Sequence, residues 1–459
     1  MQASPRTSSK GFVCLLLVCL MLTACQDLFQ QKRKHGHDAR NHSVVFLLPA
    51  SGAHAGIASK IIQGAQAAKK ELEASGALVE LALIDTNKPD WLTKLRALPE
   101  RFTVLGGPLE PGVYNTLKQS GILEQKVLFA FLNNLNGQDE GRIAWRFFPS
   151  PQDQVEALTS FAQDKLGIRS FGAFYGNDPY SQKMVSVFEA SLHRRNLPLQ
   201  KVSFVGQDSA SLSRQAKLLI NPIEAGEGSM ATPIPQTSFE AVFLPASWRQ
   251  LNAIIQSFMY HGEDRLVLLG TMLWEQSLSG KRLGNPEQYE LVVFPAAWNN
   301  QAQVAALQHL GRDFWTSLGY DFLHFAMNSG IVDKATPSEI TAKANRASTI
   351  VRTLAPIHWD AQGIAHQKLF LYRASVQGMT RMDVQIFNQI RAKRKEKAAL
   401  RMQGGQQETP GPQEEVLPKI TPSVSEESPQ PQPKPALSTA PSIPNSSYKL
   451  RLPARTTNP

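Results

Sequence analysis

The chain carries little that could make or break a covalent bond. Its cysteines, Cys14, Cys19 and Cys25, all stand near the start, so the long remainder has no thiol nucleophile, no disulfide and no Cys-based metal site. The Gly-x-Ser-x-Gly elbow, the His-Glu-x-x-His pair, the Gly-x-x-x-x-Gly-Lys phosphate loop and the Gly-x-Gly-x-x-Gly fingerprint do not occur. His35 and His37 lie close together in a basic leader, able to hold a stray metal ion or simply to solvate that leader. Neither an enzyme nor a cofactor is expected. What remains is the hydrogen-bonding and stacking chemistry that holds a molecule without changing it. Ser51 and Gly52 follow an apolar run and offer either a hydroxyl with N–H groups or ordinary turn chemistry. Thr271 and Trp274 follow another apolar run, where an aromatic stacks on a ligand, closes a cleft or fills a core.

The elements that must position these residues alternate between strand and helix. Val44 to Leu48 is a continuous apolar run, as in a strand buried on both faces of a parallel sheet, and Ile57 to Ser75 has apolar residues at helical spacing. Strands over 78–84, 102–105 and 127–131 follow, with helices over 90–97 and 112–120 between them. The rhythm starts afresh with helices over 151–166, 179–195, 209–220 and 248–261 and strands over 169–175, 202–205, 241–244 and 266–270. This alternation predicts an α/β chain with two doubly wound parallel-sheet lobes. Ligands of such sheets bind beyond the carboxyl ends of the strands, so a site is expected where the lobes face each other. Hydrophobic residues make up 42% of the 459, enough to build cores without disulfides.

Export is written into the start. Arg6 and Lys10 precede an apolar run from Gly11 to Leu22, too short to span a membrane as a mature helix, and small residues follow: the layout of a signal peptide. Leu22-Thr23-Ala24-Cys25 resembles a bacterial lipobox, which implies cleavage before Cys25 and lipidation of its sulfur and new amino group. Two or three acyl chains make a lasting anchor. Gln26, where an Asp would retain such proteins at the inner membrane, points to the outer membrane. Loss of Arg6 and Lys10 lowers the net charge of +10 by two, to +8. Basic clusters over 31–41 and 391–397 suit either an anionic surface or a solvated spacer; an exported lipoprotein is not expected to bind nucleic acid. From about Gly404 the chain turns rich in Pro, Ser, Gln and Glu, a composition expected to stay disordered.

Several segments resemble the type I periplasmic binding proteins of the leucine/isoleucine/valine-binding class. VVFLLPASGAHAGIASKIIQGAQAA is similar to their first strand, turn and helix, RFFPSPQDQVEAL to their first crossover, and FYGNDPYSQKMVSVFEASL to the strand and helix after it. FEAVFLPASWRQLNAIIQSFMYHGEDRLVLLGTMLW resembles more narrowly the lipoproteins called penicillin-binding protein activators. YDFLHFAMN and IHWDAQGIAHQKLFLYR are similar to the family's closing segments. The resemblance implies a signal peptide over 1–24, a lipidated leader over 25–42, a first lobe over 43–148, a second over 149–270, a return to the first over 271–335 and to the second over 336–385. A basic, then Pro-rich tail occupies 386–459.

The same resemblance locates a cleft. In the amino-acid-binding members, hydroxyls after the third and fourth strands grip the ligand carboxylate. Here those loops read Gly107-Pro108-Leu109-Glu110-Pro111 and Ala130-Phe131-Leu132-Asn133-Asn134. They lack hydroxyls, and Glu110 would repel a carboxylate, while Asn133 and Asn134 suit a neutral polar ligand. Tyr180 occupies the place of a tyrosine that lines the family's cleft, with Ser181 where a Gly usually follows, and Asp321 matches a family position of structural character. The expected ligand-binding set is Ser51, Gly52, Gly107, Asn133, Tyr180, Thr271 and Trp274. Two readings follow. In the first and leading one, a lipid-anchored solute-binding protein captures a small polar ligand and delivers it to an ABC transporter permease. In the second, the chain docks on a peptidoglycan synthase as the activators do, with no obligatory ligand.

Overall fold

A computed structural model describes residues 42–404 apart from 207, 225–231, 312 and 333. The signal peptide, Cys25, the basic leader and the Pro-rich tail lie outside the described residues.

The first sheet consists of β1 (His42–Leu48), β2 (Val79–Asp85), β3 (Val104–Gly106), β4 (Val127–Ala130) and β5 (Ala144–Arg146), parallel throughout and ordered β2-β1-β3-β4-β5. The apolar run of β1 is buried on both faces. Val44, Phe46 and Leu48 pack with α1 (Ala55–Ala74), while Val45 and Leu47 pack with α2 (Trp91–Arg96) and α3 (Pro111–Gln119).

The second lobe opens with α4 (Pro151–Ser160). Ser150 and Asp153 cap it reciprocally, each side chain accepting the other's backbone N–H, which satisfies orphan donors of the first turn. Its end widens into a π turn over Phe161–Lys165. Then follow β6 (Phe171–Gly176), α5 (Pro179–Arg194), β7 (Leu199–Phe204), α6 (Ser209–Ile220), β8 (Ala241–Phe243), α7 (Trp248–Tyr260), β9 (Val267–Leu269), α8 (Leu273–Leu278) and β10 (Val292–Ala296).

The chain recrosses later than expected. β10 pairs in parallel with β9, so residues 271–296 stay with the second lobe, against the boundary expected at 271. The return brings α9 (Phe314–Ser329) and α10 (Pro337–Ser348). Gly64 of α1 and Gly319 of α9 let the two backbones touch: a Cβ on Gly64 would lie 1.9 Å from the Thr316 oxygen, and one on Gly319 would lie 1.8 Å from the Ile61 oxygen. Nearly all of α9 is buried, as befits a helix apolar on every side. Because α10 packs on α9, the return to the second lobe comes after it, not at 336. A hairpin of β11 (Ile357–Trp359) and β12 (Ala365–Gln367) leads to β13 (Phe370–Ser375) and β14 (Gly378–Arg381). These last two strands complete a sheet ordered β14-β13-β10-β9-β8-β6-β7.

The basic segment expected to begin the tail is instead a long helix, α11 (Val384–Gly404). Four of its cations are held by carboxylates of the second lobe rather than merely solvated. Arg391 and Lys395 pair with Glu240, Arg394 with Glu290, and Arg401 with Asp264, while Phe387 is fully buried. No helix among the described residues is long and apolar enough to cross a membrane.

Candidate functional site

The expected ligand contacts fall into two groups, one beyond the strand ends of each sheet. In the first lobe, Ser51 and Gly52 follow β1. Gly52 takes the left-handed conformation (φ 77°) that its missing side chain permits. The Ser51 hydroxyl faces the Asp85 carboxyl at the end of β2. Burial pushes the Asp85 carboxyl up, but hydrogen bonds from the Ser51 side chain and from the backbone N–H groups of Asn87, Ser51 and Ala50 outweigh it and hold the group below its ordinary value. Asn87 in turn donates its side-chain amide to the Ser51 carbonyl oxygen. Gly107 is buried (φ 104°), precedes a cis proline, and leaves no room for a side chain: its Cβ would sit 2.3 Å from the Leu47 oxygen. It is a packing position, contrary to expectation. Asn133 and Asn134 are exposed, with no hydrogen-bond partner among the described residues.

In the second lobe, the Tyr180 and Thr271 hydroxyls lie side by side. Burial pushes the Tyr180 phenol up to about 12, with the Thr271 hydrogen bond working against it. Thr271 is fully buried and so unable to reach a ligand. Trp274 is not a cleft residue either. Its indole N–H donates to the Ala246 oxygen at 2.7 Å, and its ring fills the space over Gly270, where a Cβ would lie 2.1 Å from it. The aromatic that does stand at this edge is Trp248, at the first position of α7, half-buried against Trp274 and Tyr289 with ring centroids at 5.8 and 4.9 Å. Ser181, in the place of the usual Gly, is buried and donates to the Pro245 oxygen. Among the described residues no hydrogen bond or ion pair links the Ser51 group to the Tyr180 group. None of their His, Cys, Asp and Glu side chains gathers into a set of three or more able to hold a metal.

The hinge is more heavily wired than the cleft. Arg146, at the end of β5, is buried and donates to Glu140 at 3.0 Å and to Asp153 at 3.1 Å. It also donates to the carbonyl oxygens of Phe148 and Ala365. Glu140 accepts the Ala365 N–H at 3.1 Å, and Asp153 accepts the Gln367 N–H at 3.1 Å. One guanidinium thus fastens the first crossover to the last. Trp298 of the middle crossing stands beside Glu275 of α8, which is fully buried. Burial pushes the Glu275 carboxyl up to about 8, offset only in part by the nearby Trp298 indole, and within hydrogen-bond geometry Glu275 Oε2 and Trp298 Nε1 have no partner among the described residues. Asp321 of α9 is structural, as expected. It accepts N–H groups of Leu354, Thr353 and Arg352 at 2.6, 2.7 and 3.2 Å, yet burial still raises it to about 6.

Two lobes, three crossings and strand orders with parallel centres define the comparison with known structures. The chain has the fold of the type I periplasmic binding proteins. A putative branched-chain amino acid ABC transporter protein from Rhodospirillum rubrum aligns over 74% of this chain and 99% of its own, with 11% identity and a TM-score of 0.55. An ABC transporter substrate-binding protein from Desulfitobacterium hafniense aligns over 74% and 99%, with 11% identity and a TM-score of 0.53. The C-domain of LpoA from Haemophilus influenzae, a regulator of PBP1A, aligns over 74% and 100%, with 12% identity and a TM-score of 0.51. No family model and no curated protein matches the sequence. The fold is therefore shared by substrate-binding proteins and by a regulator, neither group enzymatic, at identities that convey architecture alone.

Sequence reasoning passed over Asp85, Asn87, Trp248, Glu275 and the Arg146 hub. Trp248 carried a readable signal, an aromatic just after Pro245-Ala246-Ser247 at a strand end. Glu140 and Asp153 lie near Arg146 in sequence, but the last crossover that joins them at Ala365 is 219 positions away and left no signal.

Proposed function

We propose that this chain is an exported, lipid-anchored interaction module that uses the binding-protein fold to dock on a protein partner at the bacterial envelope, in the manner of a regulator of a peptidoglycan synthase. One observation carries the reading: apart from Asn133, the side chains expected to hold a solute already face partners within their own lobes. Ser51 faces Asp85, Thr271 faces Tyr180, and the Trp274 indole donates to the Ala246 oxygen. A solute would have to displace these partners, and leaving a buried donor unpaired costs about 1–3 kcal/mol. Anchoring through Cys25 remains part of the proposal.

The solute-binding reading keeps one observation in its favour, the free amides of Asn133 and Asn134. Native mass spectrometry and a thermal-shift screen of amino acids and cell-wall fragments separate the two. The sample is the full exported chain with Cys25→Ser, purified from the periplasm. A solute at a hundred times its Kd adds about 2.7 kcal/mol of stability. The expected result is an apo mass and no shift; a co-purified small molecule or a single clear shift would establish solute binding instead.

A further inference from the structure

A large cavity lies away from the strand ends, on the second lobe. It is a groove of about 760 Å³ between α4 with its π turn on one side and β12, β13 and the start of α11 on the other. That volume falls within the range of ligand-sized sites, about 300–1,000 Å³. Its floor is apolar, with Phe161, Leu369 and Met382 among the lining residues. Its rim carries Lys165, Arg194, Lys368 and Arg381, and none of these pairs with a carboxylate among the described residues. Arg381 lies over the Phe370 ring at 3.9 Å, held there by the aromatic face. Of the acidic residues on the rim, Glu156 is already taken by Arg195, which leaves Asp164 against four cations.

Gln367, 6% exposed, forms part of the groove's inner wall. Its Nε2 donates to the Ala355 oxygen at 2.9 Å, which fixes the amide. An apolar floor under an unpaired cationic rim complements a peptide that carries carboxylates beside apolar side chains. We infer that this groove is a docking site for an extended segment of a partner protein that combines Asp or Glu with apolar side chains. Its carboxylates meet Lys165, Lys368 and Arg381, and its apolar side chains rest on Phe161 and Leu369. Gln367 also gives its own backbone N–H to Asp153 of the hinge, so the occupant would sit against the Arg146 network. The inference rests on the protein-partner reading and names the chemistry of that partner.

Selection from a displayed library of random 12-residue peptides on the full exported Cys25→Ser chain tests it, followed by titration of a labelled selected peptide by fluorescence anisotropy. Selected peptides should carry Asp or Glu interleaved with aliphatic or aromatic residues. Lys165→Glu with Lys368→Glu, both at exposed positions, should weaken binding at least about tenfold, as should added salt, whereas Lys70→Glu on α1 of the other lobe, also exposed, should leave it unchanged. Thermal midpoints of the variants establish that each is folded. No acidic–apolar consensus, or binding that survives the charge reversal, overturns the groove assignment. That result with a clean solute screen leaves the protein-partner reading standing, whereas a solute hit fails that reading whatever the peptides do.

Discussion

The guanidinium of Arg391 donates to the carbonyl oxygen of Leu166 at 2.9 Å, across 225 positions of sequence. Leu166 closes the π turn after α4, so this bond pins the last helix to the first helix of the second lobe. Burial of Arg391 and its bond to Glu240 make it a cation that water does not serve. Arg391→Met keeps the packing and removes the donors. A loss of about 1.5–3 kcal/mol is expected, read as a lower urea midpoint with unchanged slope, and an unaltered midpoint would mean that α11 is not braced here.

Arg146→Met tests the hinge. It leaves Glu140 and Asp153 buried without their cation, and such removals cost about 3–5 kcal/mol. The double variant with Glu140→Gln should recover part of the loss, because the stranded charge goes with it. Equal losses in the single and double variants would argue against a charge-centred hinge.

Glu275 predicts a pH dependence. Its folded value of about 8 lies above the ordinary 4.5, so the folded protein holds this proton where the unfolded chain has released it. The stability it contributes is complete below about pH 4.5 and declines as pH rises to about 8. Glu275→Gln removes that decline. The difference between the two denaturation midpoints should therefore change across that window and flatten above it, whereas parallel curves would refute the assignment. Asp321, raised to about 6, contributes a decline of the same sign at lower pH in both proteins and cancels in the comparison.

Gly319→Ala places a Cβ 1.8 Å from the Ile61 oxygen, so α1 and α9 must separate. Overpacking of this kind costs about 1–3 kcal/mol or more. Gly56→Ala in α1, with nothing within 4 Å of its Cβ, is the control and should be neutral or slightly stabilising.

The alternation of apolar runs and amphipathic stretches through β9 was open to reading because each element advertises itself locally. α5, expected over 179–195, spans Pro179–Arg194. β10 was not legible: Pro295 interrupts Val292–Ala296 and is tolerated because it stands past Val292 and Val293, the residues of β10 in register with β9, so its β9 side needs no N–H. α11 was misread for a related reason. Its basic run looks solvated until Glu240, Asp264 and Glu290 are brought up to it by the fold. The candidate site failed at Trp274, since an aromatic after a strand reads the same whether it meets a ligand or a core. The bare Cα of Gly270 decides it by giving the ring a seat.

Both lobes are sewn from distant pieces of chain. The first sheet is covered by α9, from residues 314–329, and the second is completed by β13 and by α11, which begins only at Val384. A protein threaded across a membrane from its amino terminus cannot finish either lobe until nearly all of the body has emerged. Mean sequence separation of this size slows folding, so on the proposed export route the chain passes through a stage with both sheets unsealed, when folding helpers on the far side have their longest access to it.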